Sequence, residues 1–209
     1  MNISRARNLL IPDALQALDC TPFIPIIEKI QTMARPHFLA TMNALSQCLE
    51  DDEIYLEVGT FRGGSLVGVL LNNSVKAVAI DNFSQFPVDY AQLELGLMLF
   101  GVNERVEFSE MDFHEYFKRG DIPKIGLYYY DGAHDEQSTL DGLELVFPYI
   151  VQNGIIVLDD TLDLTVCMGI NRFLGLHPAE VKILFAVSPA EEYHPSWWQG
   201  TIFLQKLSA

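Results

Sequence analysis

The side chains best suited to chemistry gather in two segments, Asp131-Gly132-Ala133-His134 and Leu158-Asp159-Asp160-Thr161. Asp131 closes one short apolar run and Asp159 closes the next. Neighbouring strands of a sheet lie about 4.8 Å apart, so Asp131, Asp159 and Asp160 are expected to converge beside one crevice. Uncompensated carboxylates at that range repel and raise one another's pKa. A divalent cation relieves the conflict, and an all-oxygen set favours Mg2+, Mn2+ or Ca2+ over zinc. His134 lies near the start of a helix. An imidazole with a pKa near 6.5 accepts a proton at neutral pH, and a hydroxyl acidified by a cation needs only a modest base. The expected roles are therefore Asp131, Asp159 and Asp160 as metal ligands, and Asp131 with His134 as the catalytic pair. Two alternatives stay open. The acids at 159 and 160 also suit a helix cap, and His134 also suits a ligand or an orienting group. His37, His114, His177 and His194 lack such company and receive no role.

A second constellation stands earlier, Glu57-Val58-Gly59-Thr60-Phe61-Arg62-Gly63-Gly64-Ser65, where a strand is expected to end and a helix to begin. Glycines there permit positive φ and a close backbone approach to a ligand. The helix start offers unpaired N–H groups. Asp81 follows at the end of the next strand, where a carboxylate can accept both hydroxyls of a ribose. The glycines depart from G-x-G-x-x-G, so a nucleoside without a pyrophosphate fits better than a nicotinamide dinucleotide. A tight strand-to-helix turn with no ligand is the structural alternative.

These groups need a scaffold that delivers strand ends to one edge. Ile54–Val58, Val75–Ile80, Val106–Phe108, Ile125–Tyr130 and Ile155–Leu158 read as buried strands, each apolar and bounded by Gly, Pro, Asn or Asp. Helices are expected at Gly64–Leu71, Asp89–Leu99, Phe113–Lys118, Gln137–Tyr149 and Thr165–Leu174. Such alternation implies an α/β fold, a parallel sheet with helices on both faces. Val181–Val187 and Gly200–Gln205 have no helix between them and should close the sheet as an antiparallel pair. The intervening Ser188–Gln199 carries Tyr193, His194, Pro195, Trp197 and Trp198, aromatic faces suited to stacking on an acceptor or to a subunit contact. Residues 1–50, interrupted by Pro12, Pro22, Pro25 and Pro36, read as a helical extension or cap, and 51–209 as the main domain.

The chain has 209 residues, 49% of them hydrophobic, with 13 Lys and Arg against 28 Asp and Glu, a net charge of −15. Disorder is excluded by that apolar content. The acidic field repels phosphates, so neither nucleic acid nor an anionic membrane is an expected partner. No signal peptide or membrane span is legible. Three scattered cysteines, Cys20, Cys48 and Cys167, suit reduced thiols in a cytoplasm.

The E-x-G-x-x-x-G-x-S pattern at 57–65 and the acid Asp81 resemble the class I S-adenosylmethionine-dependent methyltransferases. The resemblance implies a Rossmann-like seven-stranded sheet and a cofactor held by Glu57, Gly59, Thr60, Phe61, Gly63, Ser65, Asp81, Asn82, Asp112 and Asp131. Asp112 takes the family's adenine-contacting position, though a helix cap suits it equally, and Phe83 packs on adenine or in the core. The carboxylates resemble those of metal-dependent O-methyltransferases of the catechol and caffeoyl-CoA type. Where catechol enzymes carry a Lys, this chain has His134. D-G-x-H with D-D-T downstream is more similar to sugar O-methyltransferases and cephalosporin-hydroxylase-like proteins. The implied activity is metal-assisted methylation of a hydroxyl on a sugar, polyol or catechol-like small molecule. The rival readings are a nicotinamide-dependent oxidoreductase and a non-catalytic nucleoside-binding protein. A homodimer through the N-terminal extension is a further expectation.

Overall fold

The computed structural model describes residues 1–190 and 193–207; of the aromatic segment Ser188–Gln199, Glu191 and Glu192 lie outside the described residues, as do Ser208 and Ala209 of the main domain. Four short helices open the chain: α1 (Ile3–Leu9), α2 (Pro12–Gln16), α3 (Ile24–Ile30) and α4 (Pro36–Ser46). The prolines account for the interruptions. Pro12, Pro25 and Pro36 each sit in the first turn of a helix, where the missing N–H costs nothing and φ is already helical.

The alternating part follows as β1 (Ile54–Val58), α5 (Gly64–Leu70), β2 (Ala77–Asp81), α6 (Tyr90–Leu99), β3 (Val106–Glu110), α7 (Phe113–Phe117), β4 (Ile125–Tyr130), α8 (Glu136–Val146), β5 (Ile150–Leu158) and α9 (Leu164–Leu176). It ends in β6 (Val181–Val187) and β7 (Thr201–Lys206). The seven strands lie in the order β3-β2-β1-β4-β5-β7-β6. The first five are parallel, and β7 runs antiparallel to both β5 and β6. This is a Rossmann-like seven-stranded sheet of the kind the resemblance implies, with β7 running against the other strands. β5 begins five residues earlier than its apolar run suggests, because Ile150 still pairs with Ile125 across an irregularity in register.

The period of two sorts side chains into two cores. Tyr55, Leu127, Tyr129, Ile155, Val157 and Phe203 pack on one face with α1 to α6. Leu56, Tyr128, Tyr130, Ile156, Leu158 and Leu204 pack on the other with α7, α8 and α9. The N-terminal helices thus share a core with the sheet: Ala6, Leu15, Ile26 and Leu39 are spent on it. Strand order reverses between β1 and β4, and the crevice beyond their carboxyl ends is where an open parallel sheet takes a ligand.

Candidate functional site

A cavity of about 560 Å3 opens at that switch point, within the range of a small-molecule site. It is walled by the ends of β1, β2, β4 and β5 and by Thr32, Met33 and Ala34 from the N-terminal segment. Gly59, Thr60, Phe61, Ser65, Asp81, Asn82, Asp112 and Asp131 all line it. Glu57 and Gly63 do not. Gly63 turns the chain into α5 at φ +81, beside Leu93. Glu57 is fully buried and accepts the Tyr55 hydroxyl at 2.5 Å.

The glycine loop is held by the acid that follows it in sequence. Asp81 Oδ2 accepts the N–H groups of Thr60 and Phe61 at 2.7 and 2.8 Å, and Oδ1 accepts that of Phe83 at 2.7 Å. One carboxylate therefore ties the ends of β1 and β2 together at the cavity wall. Gly59, at φ +84, has no room for a side chain: a Cβ would stand 1.9 Å from the Asp131 carbonyl oxygen. Asp112 both lines the cavity and caps α7, accepting His114 N–H at 2.8 Å. Phe83 walls the cavity and stacks on Phe108, which stacks on Tyr90.

Next to the glycine loop, Asp131, His134 and Asp160 bring one ligand atom each within 4.8 Å of one another. His134 Nε2 lies 3.0 Å from Asp160 Oδ2 and 3.8 Å from Asp131 Oδ1. Asp160 Oδ1 is buried with no hydrogen-bond partner among the described residues. Asp159 is nearby but differently engaged. It continues the Ile155–Val157 face of β5, so its Oδ2 accepts the Tyr129 hydroxyl at 2.6 Å and its Oδ1 that of Thr201 at 3.2 Å. Tyr129 Oη is also 3.1 Å from Asp131 Oδ2 and carries a single proton to share between the two carboxylates. Thr165 Oγ1 donates to the His134 carbonyl and fixes the turn that carries the imidazole.

Backbone strain concentrates here. Phe61, Phe83, Asp160, Tyr193 and Trp198 are non-glycine residues at φ between +49° and +58°, and all five line the cavity. Such conformations persist where the surroundings impose them, and they cluster at binding sites.

Residues 56–161 match a family described as a methyltransferase domain. The chain belongs to that family. Its sheet and helices also match the O-methyltransferase TomG of Streptomyces achromogenes, involved in tomaymycin synthesis and solved with S-adenosylmethionine, at TM-score 0.66 and 14% identity over 100% of both chains. An O-methyltransferase from Bacillus cereus, solved with S-adenosylhomocysteine, matches at TM-score 0.60 and 16% identity over 98% of this chain and 90% of that one. A curated relative, an uncharacterised protein of Acanthamoeba polyphaga mimivirus, is 28% identical over 137 residues, 61% of this chain and 60% of the relative. The fold is that of class I methyltransferases. Among the described residues no helix is long and apolar enough to cross a membrane.

The electrostatics of this site follow from burial. Burial raises the Asp131 and Asp160 carboxyls to about 6 and that of Asp159 to about 7, with the neighbouring carboxylates adding to each shift. The same cause takes Glu57 to about 8. His134 is raised to about 9 by the adjacent carboxylates of Asp131 and Asp160, against its own burial. With no cation present, His134 is therefore an imidazolium at neutral pH and itself serves as the counter-charge. All five groups bind protons more tightly folded than unfolded. The stability each contributes is complete below its unfolded pKa, about 4 for the carboxyls and about 6.5 for the imidazole, and is lost as pH rises through the folded value. In EDTA the melting temperature is expected to fall between pH 6.5 and 9 as Glu57 and His134 release protons. Excess Mn2+ is expected to flatten that fall. A melting temperature rising through this window would contradict the assignment.

Sequence reasoning missed Tyr129, which links Asp131 to Asp159. The signal was present, because a period of two places residues 129 and 131 of one strand on the same face. It also missed the Tyr55–Glu57 pair for the same reason. Thr32 to Ala34 carried no local signal, since only tertiary packing brings them to the cavity.

Proposed function

We propose that this chain is an S-adenosylmethionine-dependent, divalent-metal-assisted O-methyltransferase acting on a hydroxyl of a small molecule such as a sugar, polyol or catechol-like compound. The observation that carries this reading is one cavity walled by the Asp81-braced glycine loop and, directly beside Gly59, by Asp131 with His134 and Asp160. In this reading Gly59, Thr60, Phe61 and Ser65 border the methionine part of the donor, Asp81 and Asn82 its ribose, and Asp112 with Phe83 its adenine.

Asp131, His134 and Asp160 fit a divalent cation: burial and neighbouring carboxylates raise the proton affinity of both acids, and Asp160 Oδ1 lacks a hydrogen-bond partner among the described residues. Two oxygens and one imidazole suit Mn2+ or Mg2+. A cation bound there would lower the pKa of an acceptor hydroxyl and neutralise the carboxylates that hold the His134 proton. With His134 among the groups that would hold the cation, the acceptor hydroxyl would release its proton to solvent water. The acceptor oxygen forms a bond to the donor methyl carbon while the carbon–sulfur bond breaks, and its electron pair stays on sulfur as the thioether. Rate acceleration comes from holding oxygen, methyl and sulfur in line.

Two measurements bear on this. Transfer of labelled methyl from S-adenosylmethionine to a panel of polyols and catechols is expected in Mg2+ and expected to stop in EDTA; full activity in EDTA removes the metal from the reaction. Asp81→Ala deprives three N–H groups of their acceptor and is expected to weaken S-adenosylhomocysteine binding by about tenfold or more, read by calorimetry. Unchanged affinity would take Asp81 out of the donor site.

A further inference from the structure

Beside the main cavity lies a second one of about 400 Å3, walled by Ile24, Ile27, Glu28, Arg35, Pro36, Tyr193 and Pro195. Tyr193 lines both cavities. Arg35 is the only lysine or arginine among the described residues walling either. Its guanidinium carbon sits 4.1 Å from the centroid of the Trp198 ring, and Trp198 lines the main cavity. Its Nε is buried without a hydrogen-bond partner among the described residues. In a chain of net charge −15 this is unexpected. The other arginines find oxygens: Arg5, Arg7, Arg62 and Arg105 donate to carbonyls or carboxamides, and Arg119 and Arg172 pair with acids.

The backbone holds Arg35 in place. It precedes Pro36, which confines it to extended geometry, and it has φ −115 and ψ 153 as the N-cap of α4 with no side-chain capping bond. An arginine is a poor choice there, since it caps nothing and puts positive charge at the positive end of a helix. The partner ring is equally constrained: Trp198, at φ +49, is bonded to His194 by N–H to carbonyl contacts of 2.9 and 3.0 Å. A strained loop and a badly matched cap thus hold a cation, with no hydrogen-bond acceptor among the described residues, next to the main cavity. A guanidinium stacked on an aromatic ring, with its N–H edge free, is built to receive a planar or tetrahedral oxyanion.

We infer that the methyl acceptor carries an anionic group, a carboxylate or a phosphate, which docks on Arg35 beside Tyr193 and sets the enzyme's specificity. The inference rests on the main cavity being the methyl-transfer site, and it narrows the acceptor to acidic small molecules. Glu28, the exposed carboxylate of this cavity, stands as the repelling wall that confines the anion to the Arg35 side.

The test is tryptophan-fluorescence titration of the whole protein in EDTA with benzoate, phenyl phosphate and the neutral isostere benzamide. Benzoate or phenyl phosphate is expected to bind about tenfold more tightly than benzamide, and whichever is tighter identifies the anion. Arg35→Gln is expected to abolish that preference, and Arg35→Lys, which keeps the charge, to retain part of it. Equal affinity for acids and amide, or a preference that survives in Arg35→Gln, overturns the inference. Calorimetry of the same preparations with S-adenosylhomocysteine reads the methyl-transfer assignment separately. Absence of heat there removes that assignment, whereas loss of acid preference alone removes only Arg35 as the anion site.

Discussion

Gly59→Ala is expected to lower the melting temperature by about 4–20 °C and to eliminate S-adenosylhomocysteine binding. A methyl at this position meets the Asp131 carbonyl at 1.9 Å, and the backbone is at φ +84. The left-handed conformation alone costs about 1–2 kcal/mol with a side chain present. Forcing apart two packed strand ends adds about 1–3 kcal/mol, and a domain of this size loses about 2–4 °C for each kcal/mol. Function suffers beyond stability because the backbone that must yield belongs to Asp131, so loop and carboxylate are displaced together. Gly101→Ala is the control. Gly101 also has positive φ, +66, but its missing Cβ faces open space, so only the conformational cost of about 1–2 kcal/mol is expected. Thermal melts and calorimetry of the two variants compare them directly; equal losses would show that the close approach at Gly59 is immaterial.

Asp160→Asn is expected to weaken divalent-cation binding by about 100-fold or more and to reduce methyl transfer in step. Asparagine tolerates the φ of +52 found at this position, so the change removes charge and leaves the backbone alone. It also removes one of the two carboxylates that hold the His134 proton, and the His134 pKa is expected to drop from about 9 toward its ordinary value, which NMR titration of the imidazole reads. Asp159→Asn separates the sequence expectation from the structure. Asp159 is engaged by Tyr129 and Thr201, so its neutralisation is expected to disturb the cation far less than that of Asp160. A loss at Asp159 equal to that at Asp160 would restore the three-acid ligand set read from the sequence.

The contrast between these two acids shows how far the sequence could be read. Strands, their order-reversing crevice and the antiparallel end were legible because buried strands are short apolar runs with turn residues at their borders. The glycine loop and Asp81 were legible because backbone geometry and a strand end leave little choice of residue type. The assignment of Asp159 and Asp160 was not, because it depends on where the strand stops. Asp159 keeps the parity of β5, whereas Asp160 enters a left-handed conformation that turns its carboxylate to His134, and no local pattern announces that turn. Arg35 lay further out of reach. Its partner Trp198 is distant in sequence, and the Pro at 36 signals only a helix start.

The proposed cation site of Asp131, His134 and Asp160, completed by loss of a proton, is open to a direct measurement. Calorimetric titration of Mn2+ into the S-adenosylhomocysteine-loaded protein, repeated at pH 7.5 in buffers of different ionisation enthalpy, tests it in one experiment. The predicted result is one Mn2+ per chain with release of about one proton, the proton that His134 carries with its pKa at about 9. Saturation without proton release, or no binding at all, would contradict it.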